Sequence, residues 1–314
     1  MSRVLLTGAS GFIGSNALEA LLEQGHEVDA VARHAGPDRP GVAWHEQDLL
    51  APGAAEELAA AVRAEKLLHL AWYATPGRFW SAPENERWID ASLRLLRAFG
   101  EAGGRRAVLA GTCAEYAWGD EVLSEALTPL APATLYGACK HATHIAAAAL
   151  AEQVGISLAW GRIFFLYGPR EDPGRLVSGV ARGLLAGEEV PTTDGSQRRD
   201  FMHVRDVAGA FVALLDSEVT GAVNIATGQA PPVRDIATLI AREARASEHL
   251  RLGALPQRPG EPPVIAGDPR RLNDEVGFRP AVALEKGIAE TVAWWRSALA
   301  APGRGSTDPD GQPA

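Results

Sequence analysis

Cysteine is nearly absent from this chain, which has only Cys113 and Cys139 among its 314 residues. Their spacing fits neither a metal site nor a network of disulfides, and neither has the neighbours of a catalytic nucleophile. The sequence therefore excludes a disulfide-stabilised secreted fold and indicates the reducing cytoplasm. His141 and His144 are also better explained as two faces of a helix than as metal ligands, so no metal is expected.

Long apolar segments and net positive charge are missing as well. No uninterrupted run approaches the roughly 20 apolar residues that span a bilayer, and the N-terminus enters Val4–Thr7 without the leader of a signal peptide. The formal net charge is −9. These features argue against a membrane or a nucleic acid as a partner.

Lysine is scarce too, because Lys66, Lys140 and Lys286 are the only three and the other basic residues are arginines. Lys140 follows Tyr136 by four residues, so on a helix the two side chains lie on one face, a turn apart. A nearby ammonium favours the phenolate and is expected to lower the pKa of Tyr136. A phenol tuned in this way can exchange a proton with a substrate oxygen.

The N-terminus has the pattern of a dinucleotide-binding turn. Arg3–Thr7 reads as a buried strand, Gly8-x-x-Gly11-x-x-Gly14 follows, and a helical pattern runs over 15–24. Glycines let the backbone approach a pyrophosphate, which the helix N-terminus attracts. The alternative is a glycine-rich turn without a ligand.

The end of the second predicted strand, 27–32, indicates the cofactor. An acid for the ribose 2′-hydroxyl of NAD is often found there, but this chain has Arg33 and His34. These residues could meet a 2′-phosphate, or Arg33 could simply be solvated. We therefore expect NADP(H), with NAD(H) as the alternative.

Strands and helices alternate from residue 3 to 164, which predicts an α/β fold with a doubly wound parallel sheet of the Rossmann type. The other predicted strands are 42–46, 67–71, 107–110, 157–164 and 221–227, and the predicted helices include 84–102, 136–153 and 200–216. A smaller C-terminal substrate-binding domain is expected from the change in composition after residue 168. The predicted units are 1–168 with 201–228 for the dinucleotide, 169–200 with 229–300 for the substrate, and a disordered tail at 301–314.

Several motifs occur together in one order. They are TGASGFIG at 7–14, DL at 48–49, HLA at 69–71, YGACK at 136–140, YGP at 167–169, RRDFMHVRDVA at 198–208 and RPGE at 258–261. Over roughly residues 3–300 the chain resembles the extended short-chain dehydrogenases/reductases, and more narrowly the NAD(P)-dependent epimerase/dehydratase family that acts on nucleotide sugars.

The resemblance implies a role for individual residues. Tyr136 would transfer the proton, Lys140 would bind the nicotinamide ribose, and Thr112 would bind the substrate oxygen. The implied cofactor contacts are Gly8, Ser10, Gly11, Phe12, Ile13, Gly14, Arg33, His34, Asp48, Leu49, Leu70, Ala71, Tyr136, Lys140 and Ile163. The implied substrate contacts are Trp72, Thr112, Arg199 and Arg258, with both arginines on the diphosphate. Trp72, with Tyr73, Phe79 and Trp80, could instead form core or lid packing.

The chain also departs from the family pattern. Dehydratases of the family carry an acid shortly after the catalytic Thr, whereas Glu115 falls one place beyond, and Phe165 replaces an Asn that often contacts substrate. We expect NADPH-dependent reduction of a nucleotide-linked, dTDP-type 4-keto-6-deoxyhexose. The alternative is a nucleotide-sugar 4-epimerase with tightly bound NAD. A non-catalytic dinucleotide sensor would not need Thr112, Tyr136 and Lys140 together. The resemblance also implies a homodimer through helices 84–102 and 134–153.

Overall fold

The computed structural model describes residues 2–119 and 122–300. The strands, in chain order, are β1 (Arg3–Thr7), β2 (Glu27–Ala32), β3 (Val42–Glu46), β4 (Lys66–His69), β5 (Arg106–Thr112), β6 (Ser157–Ile163), β7 (Phe165–Tyr167), β8 (Val190–Pro191), β9 (Arg198–Arg199), β10 (Phe201–His203), β11 (Gly221–Ile225), β12 (Leu250–Arg251) and β13 (Val264–Ile265). The α-helices are α1 (Phe12–Glu23), α2 (Ala54–Ala61), α3 (Glu84–Glu101), α4 (Leu135–Val154), α5 (Leu176–Leu185), α6 (Val204–Asp216), α7 (Val233–Ala244) and α8 (Leu284–Ala300).

Seven parallel strands form the central sheet in the order β11-β6-β5-β4-β1-β2-β3. Apolar side chains of α1 and α6 cover one face, and those of α2, α3 and α4 cover the other. Strands buried on both faces read as continuous apolar runs, which is why Val4, Leu5 and Leu6 are all fully buried. The predicted Rossmann fold is confirmed. The chain order reverses between β1 and β4, and such a switch point is where ligands bind in open α/β sheets.

Some element boundaries differ from the sequence-based prediction. Helix α1 begins at Phe12 rather than residue 15, because the extended Gly11 serves as its N-cap. The segment predicted as one helix from residue 200 contains a strand first: β10 pairs with β7, and α6 begins only after His203. The His203 Nδ1 atom accepts a 3.2 Å hydrogen bond from the backbone N–H of Arg205, which caps this helix.

The C-terminal part has an apolar cluster of its own. Helices α5, α7 and α8 pack around buried residues that include Val177, Ile240 and Ile288, while α6 and β11 join the central sheet. The division into 169–200 with 229–300 and the remainder stays a prediction, and the separate cluster supports it. The predicted disordered tail, 301–314, lies outside the described residues. Within 2–119 and 122–300, no helix is both long and apolar enough to cross a membrane.

Candidate active site

The turn between β1 and α1 depends on its glycines. Gly8 has a φ of +71°, and a Cβ there would lie 2.9 Å from the amide nitrogen of Ala71. A Cβ on Gly14 would lie 2.0 Å from the carbonyl oxygen of Gly8. The Gly11 N–H closes the turn with a 2.9 Å hydrogen bond to the same oxygen. Side chains at positions 8 and 14 would break this turn, and Ser10, Phe12 and Ile13 adjoin it at the N-terminus of α1.

Tyr136 lies in the first turn of α4, where Thr134 caps the helix by accepting a 3.1 Å hydrogen bond from the Gly137 N–H. Phe79 and Trp80 surround the phenol ring edge-on, with centroid distances of 4.9 and 5.9 Å. Burial raises the pKa of Tyr136, and a side-chain hydrogen bond with Thr112 opposes the rise. The expected lowering of this pKa by Lys140 is wrong, because desolvation dominates.

Lys140 faces the sheet one turn further along α4. Its Nζ atom donates a 2.8 Å hydrogen bond to the carbonyl oxygen of Ala110 and lies 3.7 Å from the centroid of the Trp72 ring. The side chain is buried, and burial lowers its pKa from 10.5 to about 7, against the opposing charge of Glu115. Lys140 therefore changes its charge near neutral pH.

A buried histidine anchors the end of β4. The His69 Nδ1 atom lies 2.7 Å from the Thr7 hydroxyl, and its Nε2 atom lies 2.9 Å from the Ser92 hydroxyl. Burial, with a contribution from Lys140, lowers the pKa of His69 to about 3, so the ring is neutral. The Thr7 hydroxyl also accepts from the Ala71 N–H at 3.3 Å. These bonds fix Leu70 and Ala71 against the glycine turn. The sequence reading had not singled out His69 itself, although it lies in the HLA motif.

Glu115 does not face the phenol. It is fully buried, with one carboxylate oxygen accepting from Trp160 Nε1 at 2.8 Å and the other from Arg162 Nε at 3.0 Å. The ligand atoms of Glu115, His141 and His144 lie within 4.8 Å of one another. The guanidinium of Arg162 already holds this carboxylate, so a divalent cation would meet a fixed positive charge there.

The remaining predicted cofactor residues lie where the parallel strands end. Arg33 and His34 are exposed after β2, and Asp48 is exposed after β3, with Leu49 buried beside it. The Asp48 carboxylate accepts a 3.0 Å hydrogen bond from the Leu50 N–H. Ile163 ends β6 in register with Thr112 on β5. These positions and the glycine turn thus all lie along the carboxyl edge of the sheet.

The two predicted substrate arginines differ in environment. Arg199 is buried, donates a 2.8 Å hydrogen bond to Glu261, and lies 5.7 Å from the centroid of the Phe165 ring. Arg258 is exposed, and its carbonyl oxygen accepts from the Glu261 N–H at 3.2 Å. Glu261 therefore links the segments that carry both arginines, and it already neutralises part of the Arg199 charge.

Arg175 is a further residue near the phenol that the sequence did not indicate. It precedes α5 at the N-cap position, donates a 3.3 Å hydrogen bond to the carbonyl oxygen of Ala74, and lies over the Phe79 ring at 5.0 Å. Its charge contributes a lowering of the Tyr136 pKa. No local motif marks this position, because the contact forms only when the C-terminal part folds against the segment after β4.

Comparisons with known proteins agree with this geometry. The sequence profile of the NAD dependent epimerase/dehydratase family matches residues 4–226, so the chain belongs to this family. It is 28% identical to UDP-glucose 4-epimerase from Corynebacterium glutamicum over 322 residues, which cover 95% of this chain and 96% of that enzyme.

Two solved structures show the same fold over nearly the whole chain. One is UDP-glucose 4-epimerase from Thermotoga maritima with UDP-glucose (TM-score 0.84, 25% identity, 95% of this chain and 99% of that one). The other is MoeE5 with UDP-glucuronic acid and NAD (TM-score 0.83, 31% identity, 95% and 100%). The chain is thus an enzyme of a nucleotide-sugar-modifying family whose structural neighbours bind NAD.

Proposed function

We propose that this protein is a nucleotide-sugar 4-epimerase that holds NAD and inverts C4 of a UDP-linked hexose. The observation that carries the proposal is that Thr112 acts on the Tyr136 phenol and opposes the rise of its pKa, while Glu115 forms an ion pair with Arg162 instead. Such a set suits proton exchange at a hydroxyl better than the acid-assisted elimination of a dehydratase. The similarity to two UDP-glucose 4-epimerases favours this reading over our first expectation of a ketoreductase.

The residues at the carboxyl edge fit a dinucleotide. The glycines let the turn pack tightly against Ala71 and the start of α1, and the N-terminus of α1 would attract a pyrophosphate. Asp48 and Leu49 would hold the adenine, and Lys140 the nicotinamide ribose. When bound, NAD supplies a carbon centre that takes up a hydride from C4 of the sugar and later gives it back.

The side chains of this protein would transfer the proton and orient the substrate. Tyr136 would accept the proton of the 4-hydroxyl in the first half-reaction and return it in the second. Thr112 would hydrogen-bond the same oxygen while its charge changes. One hydride and one proton leave the sugar and both return, so only the configuration at C4 changes. Arg199 and Arg258 would bind the diphosphate.

A second candidate function uses the same residues: an NADPH-dependent 4-ketoreductase acting on a dTDP-linked 4-keto-6-deoxyhexose. Its specific support is the exposed pair Arg33 and His34 after β2, where a 2′-phosphate would meet positive charge. In that reaction Tyr136 would donate one proton to the ketone, and one NADPH would be consumed for each alcohol formed.

The two candidates are separated by the need for added cofactor. Purified protein is incubated with UDP-glucose without nucleotide, and UDP-galactose is measured by chromatography; in parallel, NADPH oxidation is followed with dTDP-4-keto-6-deoxyglucose. Epimerisation without added cofactor, together with NAD released on denaturation, would support the epimerase. Stoichiometric NADPH consumption without epimerisation would reject it in favour of the reductase. Tyr136→Phe is the inactive control in both assays.

We also propose that the protein is a homodimer in which α3 and α4 meet their symmetry mates. These two helices pack side by side on one face of the sheet. Ile145 on α4 is 60% exposed, an apolar side chain that a second copy would cover.

A further inference from the structure

The ion pair behind the catalytic residues has no role in the reaction as described above. Glu115 and Arg162 are 0% and 1% exposed, and their charged atoms lie 3.0 Å apart. A buried pair of this kind adds little stability compared with apolar side chains of similar volume. The presence of this ion pair next to Thr112 therefore needs an explanation other than stability.

Glu115 holds the main chain of Thr112. Its Oε1 atom accepts a 2.9 Å hydrogen bond from the Thr112 N–H, while the Thr112 hydroxyl accepts from the Ala114 N–H at 3.2 Å. These two bonds form a capping box around the short turn Cys113–Glu115. The turn follows β5 directly, so the carboxylate fixes where the Thr112 hydroxyl lies relative to Tyr136.

The negative charge of Glu115 also reaches Lys140 and Tyr136. It raises the pKa of both groups, and so opposes the effect of burial on the lysine and adds to it on the tyrosine. Other charged and titratable groups face this region from the packed elements. They are Cys113 and Tyr116 in and after the short turn, Arg162 on β6, Tyr136, His141 and His144 on α4, His69 on β4, and Arg175 before α5. Burial lowers the pKa of His144 to about 4, so this ring is neutral beside the carboxylate.

We propose that Glu115 is a positioning residue for the catalytic set: it holds Thr112 opposite Tyr136, and it places a fixed negative charge behind Tyr136 and Lys140. Arg162 donates to one oxygen of the carboxylate and Trp160 to the other, which fixes its orientation. The substrate-facing part of this inference rests on the proposed function, whereas the charge effect on Lys140 does not.

The scarcity of lysine makes the charge effect measurable without a substrate. With ¹³C-labelled lysine the protein gives three side-chain signals, and Lys140→Met assigns the one that matters. In Glu115→Gln the amide oxygen can still accept from the Thr112 N–H, but the charge is lost. We expect the titration midpoint of Lys140 to fall by about one pH unit, and an unchanged midpoint would overturn the charge effect.

A matched control is available in Glu125→Gln. Glu125 is another partly buried acid that accepts a backbone N–H, that of Asn224 at 2.7 Å, and it is not among the groups that act on Lys140. The Lys140 midpoint should stay in place in this variant. A similar fall of the Lys140 midpoint in both variants would show that any loss of negative charge has this effect. That result would also reject the proposal.

The positioning of Thr112 is tested by a double-mutant cycle on turnover. Glu115→Met removes the acceptor for the Thr112 N–H, and we expect kcat to fall about tenfold or more with KM little changed. In a Thr112→Ala background the same substitution should cost much less, because coupled residues are not additive. Equal losses in both backgrounds would mean that Glu115 does not act through Thr112. If no turnover is found in any protein, the proposed function fails, while the lysine titration still decides the charge effect.

Discussion

The ammonium of Lys140 lies against the face of the Trp72 ring, 3.7 Å from its centroid. The ring is itself fixed, because Trp72 Nε1 donates a 2.8 Å hydrogen bond to Asn85 and the ring stacks on Trp88 at 6.0 Å. A cation–π contact contributes roughly 0.5–2 kcal/mol, with the larger values where water is excluded. Trp72, predicted as a substrate contact, thus has a contact that the sequence did not indicate, because its ring packs against the ammonium of Lys140.

Replacing Trp72 should therefore affect the cofactor more than the sugar. In Trp72→Leu we expect the dissociation constant for NAD to rise roughly three- to tenfold, in line with the loss of about 1 kcal/mol of cation–π stabilisation. Calorimetric titration of nucleotide-free protein measures this. Trp294→Leu is the control, since Trp294 lies on α8 and packs in the separate C-terminal cluster. A changed KM for the sugar with unchanged NAD affinity would show instead that Trp72 faces the substrate.

The glycine turn gives a second prediction. In Gly14→Ala the new Cβ would lie 2.0 Å from the carbonyl oxygen of Gly8, so the turn must move away from α1. We expect NAD binding to be lost or weakened at least tenfold while the protein remains folded by circular dichroism. Gly179→Ala on α5 is the matched helical control, because its Cβ meets its nearest neighbour at 3.3 Å. Retained NAD affinity in Gly14→Ala would argue against a cofactor at this turn.

The sequence predicted the sheet well because its signals are local. The apolar run of β1 and the glycines after it determine strand, turn and helix within a few residues of one another. The protonation behaviour of Tyr136 could not be read in this way, because it depends on Phe79 and Trp80, which are distant in sequence. Glu115 was equally ambiguous, since its spacing from Thr112 does not tell whether the carboxylate points toward the substrate or toward Arg162.

The proposed dimer gives a third prediction. Ile145→Glu places a charge on the exposed face of α4, where a symmetry mate would bury it, so we expect a monomer by size-exclusion chromatography with light scattering. Leu127→Glu is the control, because Leu127 is 80% exposed and lies outside α3 and α4. A wild-type protein that is monomeric at micromolar concentration would contradict the proposal directly.

The last prediction concerns how much the buried Lys140 lowers the free energy of unfolding. Burial lowers the pKa of Lys140 from 10.5 to about 7. Between these two values the unfolded chain carries a proton that the folded protein does not, so the free energy of unfolding rises with pH across this window. This stabilisation is lost as the pH falls from 10.5 to 7, and below pH 7 the folded protein must bury an ammonium.

Lys140→Met should therefore inactivate the enzyme and stabilise its fold. We expect the variant to exceed wild type in free energy of unfolding by roughly 1–4 kcal/mol below pH 7, as when other buried charges are replaced by apolar groups. The difference should shrink as the pH approaches 10, because the wild-type amine is then neutral in both states. Urea unfolding of nucleotide-free protein at several pH values measures this, with the exposed Lys286→Met as control. A difference that does not vary with pH would show that Lys140 keeps its proton throughout, and that its ammonium is stabilised by more than Ala110, Trp72 and Glu115.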